Sequence, residues 1–336
     1  MKKVSVIMAA YNAENTVEAS VKSVLEQTYN NIEIIVVNDG SRDKTLDKLK
    51  VLSDRYDNVF VLDQENSGPG RARNAAIDIA TGEYMMFIDS DDFYSNDMVE
   101  RMVSEIESNN YDLCVCGIKN QYVKNGQITG HKDWVKDSII YNNRKELFED
   151  LDNFISSGLL NSMCNKIYKS NIIKTKDIRV LEGSDMGEDL CFNILYIDEC
   201  KTVSIMKDAL YVYTIDVTKG LTSEFREDEF NKRKINLKIL NNLYEKNNLN
   251  RNRIYFEYVI MAYSCFTHLF KEENKNSFKE NIQFIREVIN SEELSEALNN
   301  IRYENIVQFV STIILKSKMY TMIYFISFLL NKVIKR

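Results

Sequence analysis

Three aspartates crowd one short stretch, Ile88-Asp89-Ser90-Asp91-Asp92, directly after the apolar run Tyr84 to Ile88. On an extended chain alternate side chains point the same way, so Asp89 and Asp91 can converge. Hard divalent cations such as Mn²⁺ or Mg²⁺ take oxygen ligands, and Mg²⁺ is usually held by one or two carboxylates plus substrate phosphates. The spacing suits a cation that bridges a diphosphate. The alternative is a solvated turn in which Ser90 or Asp92 caps a following helix.

A second chemical feature is Asn66-Ser67-Gly68-Pro69-Gly70-Arg71-Ala72-Arg73-Asn74. It reads G-x-G-x-x-R and lies in the third strand-helix unit, so it fails as a dinucleotide fingerprint on both counts, and the chain has no G-x-x-x-x-G-K-[ST] loop. Small residues entering a helix, with Arg71 and Arg73 in its first turns, make an anion site, because free amides and the helix dipole favour negative charge there. An ordinary tight turn would read the same.

These residues need a scaffold. Val4 to Met8, Ile32 to Val37, Val59 to Leu62 and Tyr84 to Ile88 read as strands. Between them lie stripes at helical spacing: Val17, Val21, Val24 and Leu25; Leu46, Leu49 and Leu52; Ala75, Ile79 and Ala80. The pattern predicts a parallel sheet with helices on both faces. In such sheets ligands sit beyond the carboxyl ends of the strands. There the sequence places Ala9 to Asn12, Asn38 to Ser41, Asp63 to Gly70 and Asp89 to Asp92. Residues of about 110 to 225 mix short strands and helices, and from about 226 the pattern is nearly all helical. The expected segments are therefore 1–110, 111–225 and 226–336.

Composition limits the function. At 336 residues, 44% hydrophobic and 28% charged, the chain is long enough for a large core and has the balance of a globular protein. A net charge of -7 argues against nucleic-acid binding. Six cysteines without a C-x-x-C pair, and only His131 and His268, give no zinc cluster and suggest reduced, buried thiols. No export signal follows Met1, so a cytoplasmic location is expected.

Over roughly the first 115 residues four motifs in order resemble family 2 glycosyltransferases of the GT-A fold. Val4 to Asn12 looks like the family's first strand, with alanines where a proline is usual. Val36-Val37-Asn38-Asp39-Gly40-Ser41, with Asp43 and Thr45, resembles the V-[ND]-D-G-S segment, and Asn66 to Asn74 resembles G-x-x-x-A-R-N. Asp89-Ser90-Asp91-Asp92 resembles the D-x-D. Further on, Asn165-Lys166-Ile167-Tyr168 is similar to the W-x-K-[LI]-[YF] region, and Gly187-Glu188-Asp189-Leu190 to the E-D segment.

The resemblance implies an inverting, metal-dependent transfer of a sugar from a nucleotide diphosphate, favouring UDP, to a saccharide or lipid-linked saccharide in surface-polysaccharide assembly. It implies Asp189 as general base beside Glu188, and metal ligation by Asp89 and Asp91. Donor contacts would come from Ala10, Tyr11, Asn12, Glu14, Asp39, Gly68, Arg73, Asn74, Asp89 and Ser90. Many relatives carry a basic residue after a segment like Tyr211-Val212-Tyr213, where this chain has Thr214, so diphosphate stabilisation is expected to fall to the metal and Lys219. An aspartate with an ordinary pKa of about 3.9 is ionised at neutral pH, so the base is expected to need positioning more than a large shift. A non-catalytic nucleotide-sugar binding module and a sugar nucleotidyltransferase are the competing readings. Intact Asp39, Asp89, Asp91 and Asp189 count against the first. Ala9-Ala10-Tyr11-Asn12, where the second would have a G-x-G-T-R-type loop, counts against it.

From Ile306 to Arg336 there is no acidic residue, while Lys316, Lys318, Lys332, Lys335 and Arg336 flank Met319 to Leu330. The run is shorter than the roughly 20 residues of a spanning helix. It reads as a basic amphipathic end that lies on an anionic inner leaflet, or as a packed helix or dimer contact.

Overall fold

The computed structural model describes residues 1–183, 186–218, 228–271 and 273–334. The amino-terminal half alternates β1 (Val4–Ala10), α1 (Val17–Leu25), β2 (Ile32–Asp39), α2 (Thr45–Arg55), β3 (Val59–Gln64), α3 (Pro69–Ile79) and β4 (Tyr84–Asp89). Every residue of β2, and every residue of β1 but Ala9, is withdrawn from water, as β-branched strands covered on both faces require. The four strands pair in parallel in the order β3-β2-β1-β4. Strand order reverses between β1 and β4, which opens a crevice at their carboxyl ends. Register sets Ala9 beside Asp89, Ala10 beside Asn38 and Asn38 beside Asp63 along that edge.

The helices bury the expected faces with one correction. Helix α1 buries Val17, Val21 and Val24, and α2 buries Leu49 and Leu52. On α3, however, Ile79 is exposed, and the inward face is Gly70, Ala72, Arg73, Asn74, Ala76 and Ile77. The stripe was phased on its apolar residues, but two polar side chains share the buried face because they have partners inside.

The sheet continues through the second segment with β5 (Phe93–Tyr94), α4 (Met98–Ser108), β6 (Leu113–Lys124), β7 (Gln127–Trp134), β8 (Ile139–Tyr141), α5 (Arg144–Glu149) and α6 (Leu151–Ser156). A 3₁₀ turn at Leu159–Asn161 precedes β9 (Lys166–Lys169), α7 (Ser170–Thr175), α8 (Glu188–Glu199) and β10 (Val203–Asp216). Beyond β4 the order is β9-β6-β10-β5, with β7 beside β6 and β8 beside β10. Pairing here is mixed: β6 and β10 are parallel, while β9 runs antiparallel to both β4 and β6. One ten-stranded sheet thus crosses residue 110 and belongs to a unit spanning Met1–Lys219. All six cysteines are free and buried.

The second unit, Gly220–Arg336, is helical in its described residues: α9 (Glu229–Lys246), α10 (Asn252–His268), α11 (Phe278–Ile289), α12 (Glu292–Asn300), α13 (Ile306–Lys316) and α14 (Tyr320–Ile334). Ser277 and Glu280 form a reciprocal capping box that starts α11. Among the described residues no helix is long and apolar enough to cross a membrane.

Candidate active site

The loops after β1 and β2 are laced together. Asn12, in a left-handed conformation, donates its amide to Ser41 Oγ and accepts from the Arg42 amide through Oδ1. The Glu14 amide donates to Asp43, and the Lys44 amide donates to Glu14. Asn12 and Glu14, expected at the donor, thus form the rim of the crevice. Tyr11 stands 46% exposed beside them, whereas Ala10 is fully buried.

Asp39 ends β2 and is buried. Its Oδ1 accepts from Gln64 Nε2 (2.7 Å) and the Ser67 amide (2.9 Å), and its Oδ2 from the Gly68 amide (2.8 Å). The amides that were expected to meet a ligand anion at the start of α3 therefore meet this carboxylate. Gly40 lets the two loops touch: its φ is +67°, and a Cβ there would lie 2.5 Å from the Asn66 amide nitrogen.

Arg73 projects from the inward face of α3 and is 8% exposed at its side chain. It is not held out toward an incoming anion, as its place near the helix start suggested. Its Nη2 donates to Asp89 Oδ1 (2.8 Å), and its Nη1 lies 3.2 Å from Asp189 Oδ1 and 3.4 Å from Glu188 Oε1. One guanidinium thus joins the end of β4 to the first turn of α8. Burial works against its charge, but Asp189, Asp89 and Glu188 hold it protonated. Asn74, next on α3, spends both ends of its amide on the Val180 backbone and reaches Glu182. It fixes the segment leading to α8.

Asp189 is held twice, since its Oδ2 also accepts the Met163 amide (3.0 Å). Burial raises its pKa against the pull of Arg73, and Asp89 adds to the rise. Glu188 is raised by burial and by Asp189. The direction of the shift makes Asp189 a stronger proton acceptor than an exposed aspartate.

The turn after β4 separates its three aspartates. Asp89 retains 37% side-chain exposure, Asp91 is exposed, and Asp92 is buried. Asp92 caps no helix, and neither does Ser90, because α4 starts only at Met98. Instead Asp92 accepts from the Tyr211 hydroxyl and the Thr214 amide (2.8 Å). Burial, with Asp89 and Asp91 nearby, raises its pKa well above the ordinary value. The Tyr211 hydroxyl also accepts the Asp89 amide, at 3.4 Å. No sequence signal beyond an aromatic strand marked Tyr211 for this role. Lys219 lies outside the described residues.

Lys166 was visible only as part of a motif, yet it frames Asp189. It is fully buried, and its ammonium donates to Leu159 O (2.6 Å), Ser162 O and Asn165 Oδ1 (2.8 Å), fixing the turn that presents the Met163 amide to Asp189. Burial lowers its pKa to about 7, with Asp189 opposing the fall.

Comparison with solved structures bears on the fold. The fold is similar to that of a fragment comprising residues 1–349 of S. aureus TarS, with a TM-score of 0.65 and 20% identity over 96% of this chain and 89% of that one. The same fragment in complex with UDP-GlcNAc also gives 0.65, at 21% identity. Residues 5–174, half of the chain, match the family model described as glycosyl transferase family 2, and the chain belongs to that family. It is 29% identical over 213 residues to an uncharacterized glycosyltransferase, EpsJ, of Bacillus subtilis, covering 62% of this chain and 60% of that one. It is 30% identical over 217 residues to a poly(ribitol-phosphate) beta-glucosyltransferase of Bacillus spizizenii, covering 63% and 32%. The chain thus spans about three to six tenths of the length of these curated relatives.

Proposed function

We propose that the chain transfers a sugar from a nucleoside diphosphate donor, with uridine the favoured nucleoside, to a hydroxyl of a saccharide or lipid-linked saccharide, inverting the anomeric carbon, in surface-polysaccharide assembly. The observation that carries this reading is Arg73, which ties the D-x-D carboxylate Asp89 and the acidic pair Glu188 and Asp189 to one point at the switch crevice. Donor and base chemistry then share one wall. The family and the poly(ribitol-phosphate) substrate in the name of a relative support the class of reaction.

Of roughly four lone-pair positions on the Asp39 carboxylate, three are filled by Gln64, Ser67 and Gly68. The position left on Oδ2 suits a ring N–H of a pyrimidine base. The acidic cluster fits a hard cation by its donor chemistry: the two accessible groups are carboxylates, and their charge already raises Asp92. Among the described residues no three His, Cys, Asp or Glu side chains are grouped to hold an ion alone, so diphosphate oxygens would complete the set. Asp89 and Asp91 would hold Mn²⁺ or Mg²⁺, which when bound neutralises charge developing on the leaving diphosphate.

Asp189 acts as base. As the acceptor oxygen bonds to the anomeric carbon and the bond to the diphosphate breaks, the hydroxyl proton passes to Asp189, held meanwhile by Arg73 and the Met163 amide. A single displacement inverts the centre. Glu188 would orient the acceptor. Residues 306–336 lie, on this reading, against the anionic inner face of the cell membrane, with the catalytic unit in the cytoplasm.

The test is nucleoside diphosphate release from UDP-, GDP- and dTDP-sugars with Mn²⁺, for the natural chain and Asp91→Ala. Metal-dependent release from one donor, lost in Asp91→Ala, is expected. Tight UDP binding without turnover on any donor and acceptor would instead identify a binding module, and pyrophosphate formation from a sugar phosphate a nucleotidyltransferase.

A further inference from the structure

The sheet register brings to the crevice an aromatic side chain that neither the donor nor the base chemistry uses. β10 pairs with β6 from Leu113 to Val123, so β9 and β7 share the opposite edge of β6, β9 against Leu113 to Val115 and β7 against Ile118 to Lys124. β9 is also the neighbour of β4, so β7 continues the column of β9 past the carboxyl end of β4. Tyr168 pairs with both Met85 and Leu113, which sets Asp89, four residues past Met85, level with Gly117. Trp134 pairs with the next residue, Ile118, and so stands at the height of the acidic turn. Asp39 ends a strand three columns away, roughly 14 Å. A base held there does not reach Trp134.

Trp134 is the chain's one tryptophan and is 42% exposed. Its indole N–H donates to Ser157 O (2.9 Å). That occupies its only polar side-chain atom, so what the side chain shows to solvent is apolar ring. The benzo edge rests on Gly158, whose φ is +73° and where a Cβ would lie 2.3 Å from Cζ2. From Gly158 the chain enters the 3₁₀ turn, whose flanking Leu159 and Ser162 carbonyls accept from Lys166, and reaches the Met163 amide that donates to Asp189. A rigid apolar plate is thus fastened to the turn that also holds Asp189. Among the described residues β7 has no partner strand besides β6, so the peptide groups of its outer edge are open to a ligand. A pyranose matches both features: its C–H groups form an apolar face that stacks on an aromatic ring, and its hydroxyls bond peptide groups. An acyl chain would use the plate and leave the peptide groups unbonded.

We propose that Trp134 is the platform of the acceptor subsite, stacking against the C–H face of the pyranose whose hydroxyl receives the sugar. The proposal rests on the transferase reading given above and names the acceptor class as a pyranoside.

With a single tryptophan, indole fluorescence reports on position 134 alone. The full chain is titrated with cellobiose, lactose and N,N′-diacetylchitobiose, with and without UDP, and UDP binding is measured separately by calorimetry. A saturable fluorescence change with at least one disaccharide is expected, at a dissociation constant on the order of 1 mM. By NMR titration of that disaccharide, Trp134→Ala should weaken binding about tenfold or more, and so should Trp134→Leu, which fills space without a ring face. Trp134→Phe keeps a plate but loses the N–H bond, and should bind within about threefold of the natural chain. All three variants should keep the natural UDP affinity. No saturable change with any of the disaccharides, or unchanged affinity in Trp134→Ala, overturns the platform. Equal losses in Trp134→Phe and Trp134→Leu would make Trp134 a prop for the turn and overturn it too. A chain that binds no UDP counts against the transferase reading alone, because the saccharide titration is also read without nucleotide.

Discussion

A single arginine joins the acidic residues of the candidate site. Arg73 is buried among Asp89, Glu188 and Asp189, which come from segments up to 116 positions away. Removing the cation leaves three carboxylates facing one another, and breaking such a buried pair costs about 3–5 kcal/mol. Arg73→Met should therefore lose stability of that order in urea unfolding. Arg73→Lys should recover part of the stability and little of the rate, because an ammonium cannot span the same fork. Natural-like rates in Arg73→Met would remove Arg73 from the mechanism. The pH-rate profile carries a sign as well. Asp189 must be deprotonated to accept a proton, so the rate rises with pH through its pKa, which burial places above 3.8. Arg73 lowers that pKa, so its loss should move the rising limb to higher pH. Asp189→Asn should reduce kcat by about 10²- to 10⁴-fold with UDP affinity unchanged. The sequence made each acid visible by motif. It could not show that Arg73 joins them, because nothing in local spacing encodes a contact between α3 and α8.

At the scale of elements, the amino-terminal half was legible because its strands are long, β-branched and separated by amphipathic helices. The second half was less so, since β5, β8 and β9 have two, three and four residues and take their identity from partners rather than pattern. The phase of α3 was misread for a related reason: its buried polar residues look solvent-facing until their partners are known. Glu33 was hidden in the same way. It sits on β2, almost fully buried, opposite Ser5 on β1, and accepts from Ser5, Thr81 and the Gly82 amide while pairing with Lys3. Burial pushes its pKa up, but the bonds from Lys3, Ser5 and Thr81 outweigh it and bring it from 4.5 to about 2. A depressed carboxylate stabilises the fold above its unfolded pKa, and that stability is lost as pH falls through the folded value. Glu33→Gln should thus cost roughly 2–3 kcal/mol at pH 7, with the difference from the natural chain shrinking between about pH 4.5 and 2. Urea melts across that range check it, and a pH-independent difference would mean that packing rather than charge holds the strand ends.

At the scale of the whole molecule, composition and periodicity separated a sheet-bearing region from a helical one, and the structure draws the units as Met1–Lys219 and Gly220–Arg336. The sequence also showed that the last helices are basic and apolar together. It left open whether they pack or bind a surface, because periodicity shows an apolar stripe without showing what lies against it. In the structure α14 exposes Phe325, Leu329 and Val333, one turn apart along one face. A helix lying on a bilayer would present such a row. Each lysine near an anionic bilayer contributes about 1 kcal/mol, so replacing Lys316, Lys318 and Lys332 by glutamine should weaken binding by roughly 3 kcal/mol, about a hundredfold in partition. The full chain should float with phosphatidylglycerol vesicles and not with phosphatidylcholine vesicles, and should be released at about 1 M salt, where the Debye length falls to about 3 Å. The triple variant should stay in solution at low salt. Equal partition of the two proteins would assign those lysines to solubility alone and leave the exposed face of α14 to a protein contact.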